Sequence, residues 1–169
     1  DQFIQTDGVA PDVDGDDVFI YSASSDNGNV TTGLSGNVLT LTPVLNFNGS
    51  ATISVTANDG TEDSNTETFT LTVSPVNDAP VLSAIANVTT DEDVVVELTL
   101  TATDVDGDPV TFTVVSSDTV NVSTNVTGNL LTLTPALNFN GSATISVTAN
   151  DGTEDSNTET FTLTVSPVN

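Results

Sequence analysis

The chain has 169 residues and 24 Asp plus Glu, with no Lys, Arg, His, Cys, Met or Trp, giving a formal charge of −24. Without basic side chains it cannot neutralise phosphates, which excludes ordinary nucleic-acid binding and docking on anionic membranes; without Cys it cannot form disulfides. No side-chain ion pair is available either, so each carboxylate is solvated, hydrogen-bonded to backbone N–H groups, or bound to a cation.

The chain divides into two copies of one unit, an incomplete one over 1–77 and a complete one over 78–169. Leu45 to Asn77 recurs unchanged as Leu137 to Asn169, an offset of 92 residues, and the match runs upstream without insertion. Under that offset Asp1 to Val9 correspond to Asp93 to Thr101, so they are expected to supply a strand, with Phe3 as a candidate inward residue. The strand that opens the second copy would fall before residue 1, so the first copy is expected to lack its N-terminal strand and to present an open sheet edge; two explanations compete, a chain cut from a longer array and a strand donated by a neighbouring subunit. Next comes the acidic turn Asp12-Val13-Asp14-Gly15-Asp16, repeated as Asp104-Val105-Asp106-Gly107-Asp108. Leu39-Thr40-Leu41-Thr42-Pro43, repeated as Leu131 to Pro135, alternates apolar and polar residues and predicts a strand. Asn46-Phe47-Asn48-Gly49 follows, with Phe47 (and Phe139 in the second copy) expected to plug a sandwich end; the competing reading is an exposed sugar-stacking platform. Asp59 sits in an Asn-Asp-Gly turn. Pro75 and Pro80 bound a stiff linker.

The second copy predicts seven strands. Val81 to Val88 is a weak first strand. Val94 to Ala102 alternates, with Val96, Leu98, Leu100 and Ala102 on one face. Val110, Phe112 and Val114 follow, then a poorer strand around Val120 and Val122. Leu131 and Leu133, then Ile145, Val147 and Ala149, then Phe161, Leu163 and Val165 complete the set. Period-two alternation with turns every eight to twelve residues or so predicts an all-β sandwich of Greek-key topology. No stretch carries a helical period, and no apolar run reaches the roughly 20 residues of a membrane helix.

Val76-Asn77-Asp78-Ala79-Pro80 resembles the linker between cadherin domains. Ala102-Thr103-Asp104-Val105-Asp106-Gly107 resembles their Ala-x-Asp-x-Asp loop, and Ala149-Asn150-Asp151-Gly152 their Ala-x-Asp-x-Gly strand end. Asp91-Glu92-Asp93 stands where cadherins carry an acidic residue after the first strand. The whole unit is similar to the bacterial cadherin-like, Ig-like tandem repeats of large secreted adhesins and surface proteins. The resemblance implies two seven-stranded sandwiches in series with Ca²⁺ between neighbours. It implies Asn77, Asp78, Asp104, Asp106 and Asp151 as ligands, with Asp12, Asp14 and Asp59 as their equivalents facing a unit upstream. It departs at Asn46-Phe47-Asn48-Gly49, which stands where cadherins place an acidic element and removes charge from such a site.

Calcium takes six to eight hard oxygen ligands, and extracellular modules hold it at about 10⁻⁴ to 10⁻³ M. The competing reading of each Asp turn is a plain turn, since Asp, Asn and Gly are favoured there for backbone reasons. Catalysis lacks an imidazole base, a thiolate, an amine and a guanidinium, and a paired-carboxylate site would not be expected twice in one chain; no enzyme is predicted. The function expected is a calcium-stiffened structural or adhesive module, extracellular or on the cell surface. Its partners would be copies of itself or neighbouring repeats, and possible surface glycans, with no nucleic acid and no membrane insertion. Two alternatives stay open: a filament subunit joined by β-strand donation, and a carbohydrate-binding module. Six Asn-x-Ser/Thr sequons, at Asn29, Asn48, Asn87, Asn121, Asn125 and Asn140, matter only where the source glycosylates.

Overall fold

The computed structural model describes residues 2–5, as backbone, and 19–169; Asp12 and Asp14 lie outside them. The chain forms two units, Asp1–Val76 and Asn77–Asn169. Among the described residues every regular element is a strand.

In the first unit β1 (Gln2–Gln5), β4 (Val38–Pro43) and β3 (Val30–Ser35) form one sheet, in the order β1-β4-β3. The facing sheet has the order β2-β5-β6, from Ile20–Ser25, Gly49–Asn58 and Glu67–Val73. Thr alternates with Leu, Val, Ile or Ala along β4, β5 and β6, which presents one apolar face per strand. Those faces meet in a core of Val30, Leu39, Leu41, Ala51, Ile53 and Leu71. Strands β3 and β4 turn through Gly36-Asn37, with Gly36 at φ 61°, a left-handed position that suits a two-residue hairpin. The register of β1 sets Phe3 opposite Thr40 and Ile4 opposite Leu39. Under a strict 92-residue offset Ile4 would instead stand opposite Leu41, as Val96 stands opposite Leu133. The backbone pairing has thus slipped by two residues.

The second unit has the larger core: Leu82, Leu100, Val122, Leu131, Leu133, Ala143, Ile145, Val147, Ala149, Phe161, Leu163 and Val165. One sheet runs β11-β14-β15-β8, from Thr111–Ser116, Gly141–Asn150, Asp155–Ser166 and Val88–Asp91. The other runs β12-β13-β9, from Val122–Thr127, Leu130–Pro135 and Val96–Thr99. A short pair, β7 (Val81–Leu82) with β10 (Ala102–Thr103), closes one end.

Three strand expectations are refined. The first strand is split: β7 pairs antiparallel with β10, while β8 pairs parallel with β15. Between them Asn87 substitutes for a ladder bond, its Oδ1 accepting the Thr162 N–H at 2.8 Å. The Val94 to Ala102 run is also split, into β9 and β10, because the chain leaves β13 and crosses to β7 after Leu100, which stays buried. Val120 is 85 % exposed in the turn before β12, so only Val122 of that pair belongs to the core.

Candidate metal centre

Strand β10 ends at Thr103 and delivers Asp104 to a tight turn. Its Oδ1 accepts the N–H groups of Asp106, Gly107 and Asp108 at 2.9, 3.0 and 3.2 Å, and Gly107 takes φ 80° so that the chain can close over it. The other oxygen, Oδ2, is buried and has no hydrogen-bond partner. A buried, unpaired carboxylate oxygen is costly, and in this chain no side-chain cation exists to compensate it.

Strand β14 ends at Asn150 and delivers Asp151, which is 9 % exposed. Its Oδ1 accepts the N–H groups of Thr153 and Glu154 at 2.6 and 2.7 Å. Its Oδ2 accepts the side-chain amide of Asn77 at 2.9 Å. The Glu154 N–H, then the Asn77 amide, then the Thr153 N–H hold the Asp151 carboxyl below the ordinary aspartate value, against the opposing effect of burial. Asp78 is placed by its backbone, whose N–H donates to Asp106 Oδ2 at 2.8 Å. Thus the five residues Asn77, Asp78, Asp104, Asp106 and Asp151 are linked at one end of the second unit through two hydrogen bonds from the incoming segment and the two loops.

Asp59 makes the same local turn as Asp151, accepting from Thr61 and Glu62 at 2.7 and 2.8 Å, chiefly the Glu62 N–H lowering its pKa. Both turns are also clasped by an Asn: Asn58 Oδ1 accepts the Gly60 N–H and Asn150 Oδ1 that of Gly152, each at 2.7 Å. The turn chemistry of Asn-Asp-Gly is therefore sufficient to explain one carboxylate oxygen at each place.

The donor set is oxygen-only and anionic, which suits a hard divalent cation. Among the described residues, however, no three carboxylates close on one point. Asp106 and Asp151 direct oxygens to the N–H groups of the incoming segment, and Asp104 Oδ2 alone is buried without a donor. The residues fit calcium in chemistry, with Asp104 Oδ2 as the available buried ligand atom.

At the other end of the second unit the acidic run expected after the first strand has structural partners. Asp93, at φ 63°, accepts the Asn138 N–H at 2.8 Å, and Glu92 accepts the Val168 N–H at 2.9 Å. Phe47 and Phe139 are half-buried and pack against the two cores. An added Cβ at Gly141 would stand 3.1 Å from the Phe139 ring, which is why glycine closes that motif. Sequence reasoning missed Asn157, which holds both backbone groups of Leu82: its Oδ1 accepts at 3.0 Å and its Nδ2 donates at 3.3 Å. No local signal marks it, because among the described residues the side chain of the identical Asn65 donates to Glu67 alone.

A bacterial Ig-domain family model matches residues 77–164, and a cadherin-like domain model matches residues 8–74. No curated protein matches. Among solved structures, human mucin-like protocadherin EC1-2 is 21% identical with a TM-score of 0.55, over 88% of this chain and 85% of that one. Human protocadherin-24 EC1-2 is 16% identical with a TM-score of 0.57, over 95% and 87%. A protocadherin gammaB7 EC3-6 cis-dimer is 18% identical with a TM-score of 0.54, over 87% and 40%. At these identities the structures support the sandwich fold. Cadherin-like and bacterial Ig domains are adhesion-type modules, not enzymes, and are typical of extracellular or surface proteins. With its second unit matched almost throughout, and more than half of its length with it, the chain belongs to the bacterial Ig-domain family.

Proposed function

We propose that the chain is a structural, adhesive repeat of an extracellular surface protein or appendage, with calcium consolidating the Asn77, Asp78, Asp104, Asp106 and Asp151 end of the second unit. The buried, partnerless Asp104 Oδ2 in a chain without basic side chains carries this reading. A bound calcium ion supplies the positive charge that the sequence lacks. The protein's own part is to present oxygens and to hold the entering segment: Asn77 is tied to Asp151 and Asp78 to Asp106. Beyond β6, that leaves Ser74, Pro75 and Val76 before the first tie, and the proline restricts them further. Stiffening of the joint follows from such a short free span. Asp59, with Asp12 and Asp14, takes the corresponding role for the first unit. Partners of this reading are copies of the chain or neighbouring repeats, in keeping with the cis-dimer formed by the gammaB7 protocadherin.

The test is thermal melting at equal ionic strength with calcium or with EDTA. Binding to the native state alone raises stability by about 2.7 kcal/mol at a hundredfold excess over Kd. Asp104→Asn with Asp106→Asn should abolish the calcium increment while both units stay folded. An unchanged midpoint at millimolar calcium overturns the calcium part of the proposal. If the double variant gives the same scattering-derived length distribution as the parent in calcium, the stiffening part fails.

A further inference from the structure

We propose that the outer edge of β11 is a dimerisation surface, on which β11 of a second copy of this chain pairs antiparallel about a two-fold axis. The inference rests on the reading of copies as partners, for which it names a surface, and does not involve calcium. Strand β11 closes one side of the four-stranded sheet β11-β14-β15-β8. The second unit, Asn77–Asn169, is described in full, and among the described residues β11 pairs with β14 alone. Its other edge keeps a row of main-chain donors and acceptors without a ladder partner.

Charge sets this edge apart. None of the 24 carboxylates lies in β11, or in β12 at the neighbouring edge of the facing sheet. The opposite edges of the two sheets, β8 and β9, carry Asp91 and Glu97. Natural edge strands are guarded by a charge, a proline or a bulge. Strand β11, Thr-Phe-Thr-Val-Val-Ser, has no charge and no proline, and it pairs with β14 in unbroken register. Its β-branched and aromatic residues favour further pairing. Coverage is also incomplete here. Phe112 and Val114 pack on the core yet stay half-buried, and Val115 is 57% exposed on the outer face. The counterpart in the first unit differs: β2 ends Ser-Ala-Ser-Ser, and its Ala23 carbonyl already accepts the Thr32 hydroxyl at 3.0 Å.

Electrostatics identifies the occupant. Two chains of charge −24 repel each other, and they meet with least repulsion where neither carries a carboxylate. A basic partner would find no counter-charge on this strip. Symmetry then limits the register. Antiparallel partners must match faces, outward Thr113 and Val115 with outward residues, inward Phe112 and Val114 with inward ones. Centring the pair on Val114 sets Thr113 of one copy opposite Val115 of the other. Centring it on Thr113 would bring Asp108 of one copy toward Asp118 of the other, and opposed like charges are unfavourable. The product is one eight-stranded sheet whose two outer edges are both β8, each ending in Asp91, so pairing stops at two copies.

Sedimentation of the full chain, in EDTA and in calcium, is followed up to about 1 mM, because a contact between two short strands belongs with weak interfaces. Dimers and no larger species are expected. Thr113→Asp with Val115→Asp should weaken the dimer at least about tenfold, by setting carboxylates against each other across the ladder. Thr89→Asp with Thr99→Asp puts the same two charges on exposed positions of β8 and β9 and should leave the dimer at parent strength. Since the chain has no Cys, single cysteines give a second reading that does not depend on the charged variant folding. A mixture of Thr113→Cys and Val115→Cys chains should oxidise to cross-linked dimers faster than either alone, opposed Cβ atoms being about 4.5–5.5 Å apart. A mixture that links no faster overturns the proposal. Dimers that persist at parent strength in Thr113→Asp with Val115→Asp also overturn it, while leaving copies as partners through another surface. A chain that stays monomeric throughout overturns both, and leaves neighbouring repeats as the partners.

Discussion

At the scale of single residues, the acidic loops combine turn-making with something turn-making does not require. Asp104 uses one oxygen for three backbone N–H groups, as any Asp opening a tight turn does, and buries the other without a donor. Asp151 is fully employed, and this makes it sensitive to acid. Its folded pKa lies below the unfolded value, so its stabilising effect is present above about pH 4 and is lost as pH falls through the folded value. Asp151→Asn should melt lower than the parent at pH 7, because an amide can turn its own N–H₂ against that of Asn77. The gap between the two melting curves should close as pH drops below 4, read by calorimetry from about pH 6 to 2. Gly141 offers a steric test. Its φ of 151° and the Phe139 ring 3.1 Å from an added Cβ predict that Gly141→Ala destabilises the second unit by about 1–3 kcal/mol. Gly49→Ala, with 3.5 Å to the Phe47 ring, should lose less in the first unit, measured by denaturant unfolding.

The repeated elements form an internal control, since the same strand sequence stands in two environments. Phe161 is 2% exposed in the core of the second unit, on the strand that β8 flanks, whereas the identical Phe69 is half-buried. Phe161→Ala should therefore cost about 3–5 kcal/mol of the second unit's stability. Phe69→Ala should cost distinctly less of the first, in proportion to the smaller area it removes from water. Separate unfolding transitions of the two units, followed by circular dichroism in denaturant, would measure both. Equal losses would mean that the two strips are covered alike. Element boundaries differ as well: β6 stops at Val73, whereas β15 continues to Ser166, which pairs with Asp91 of β8.

Over the whole molecule the governing quantity is a charge of −24 with no basic side chain. Self-repulsion of that charge opposes compaction, and salt screens it over roughly 8–10 Å at physiological strength. The melting temperature should rise steadily with NaCl up to about 1 M, with calcium adding an increment at matched ionic strength. A melting point indifferent to NaCl would show that repulsion does not limit the fold. Sandwich class and apolar faces were legible in the sequence because strand alternation maps directly onto Thr-Leu-Thr and Thr-Ile-Ser-Val patterns. The joining of Asn77, Asp78, Asp104, Asp106 and Asp151 was legible only through family resemblance, since nothing local links Asn77 to Asp151, 74 residues away. Tertiary structure alone decided the split of the first two strands, the clamp by Asn157, and the contrast between β6 and β15. The physical reason is the same in each case: identical residues carry identical local propensities, but which backbone groups they pair with, and how much surface they lose, depends on strands that lie elsewhere in the chain.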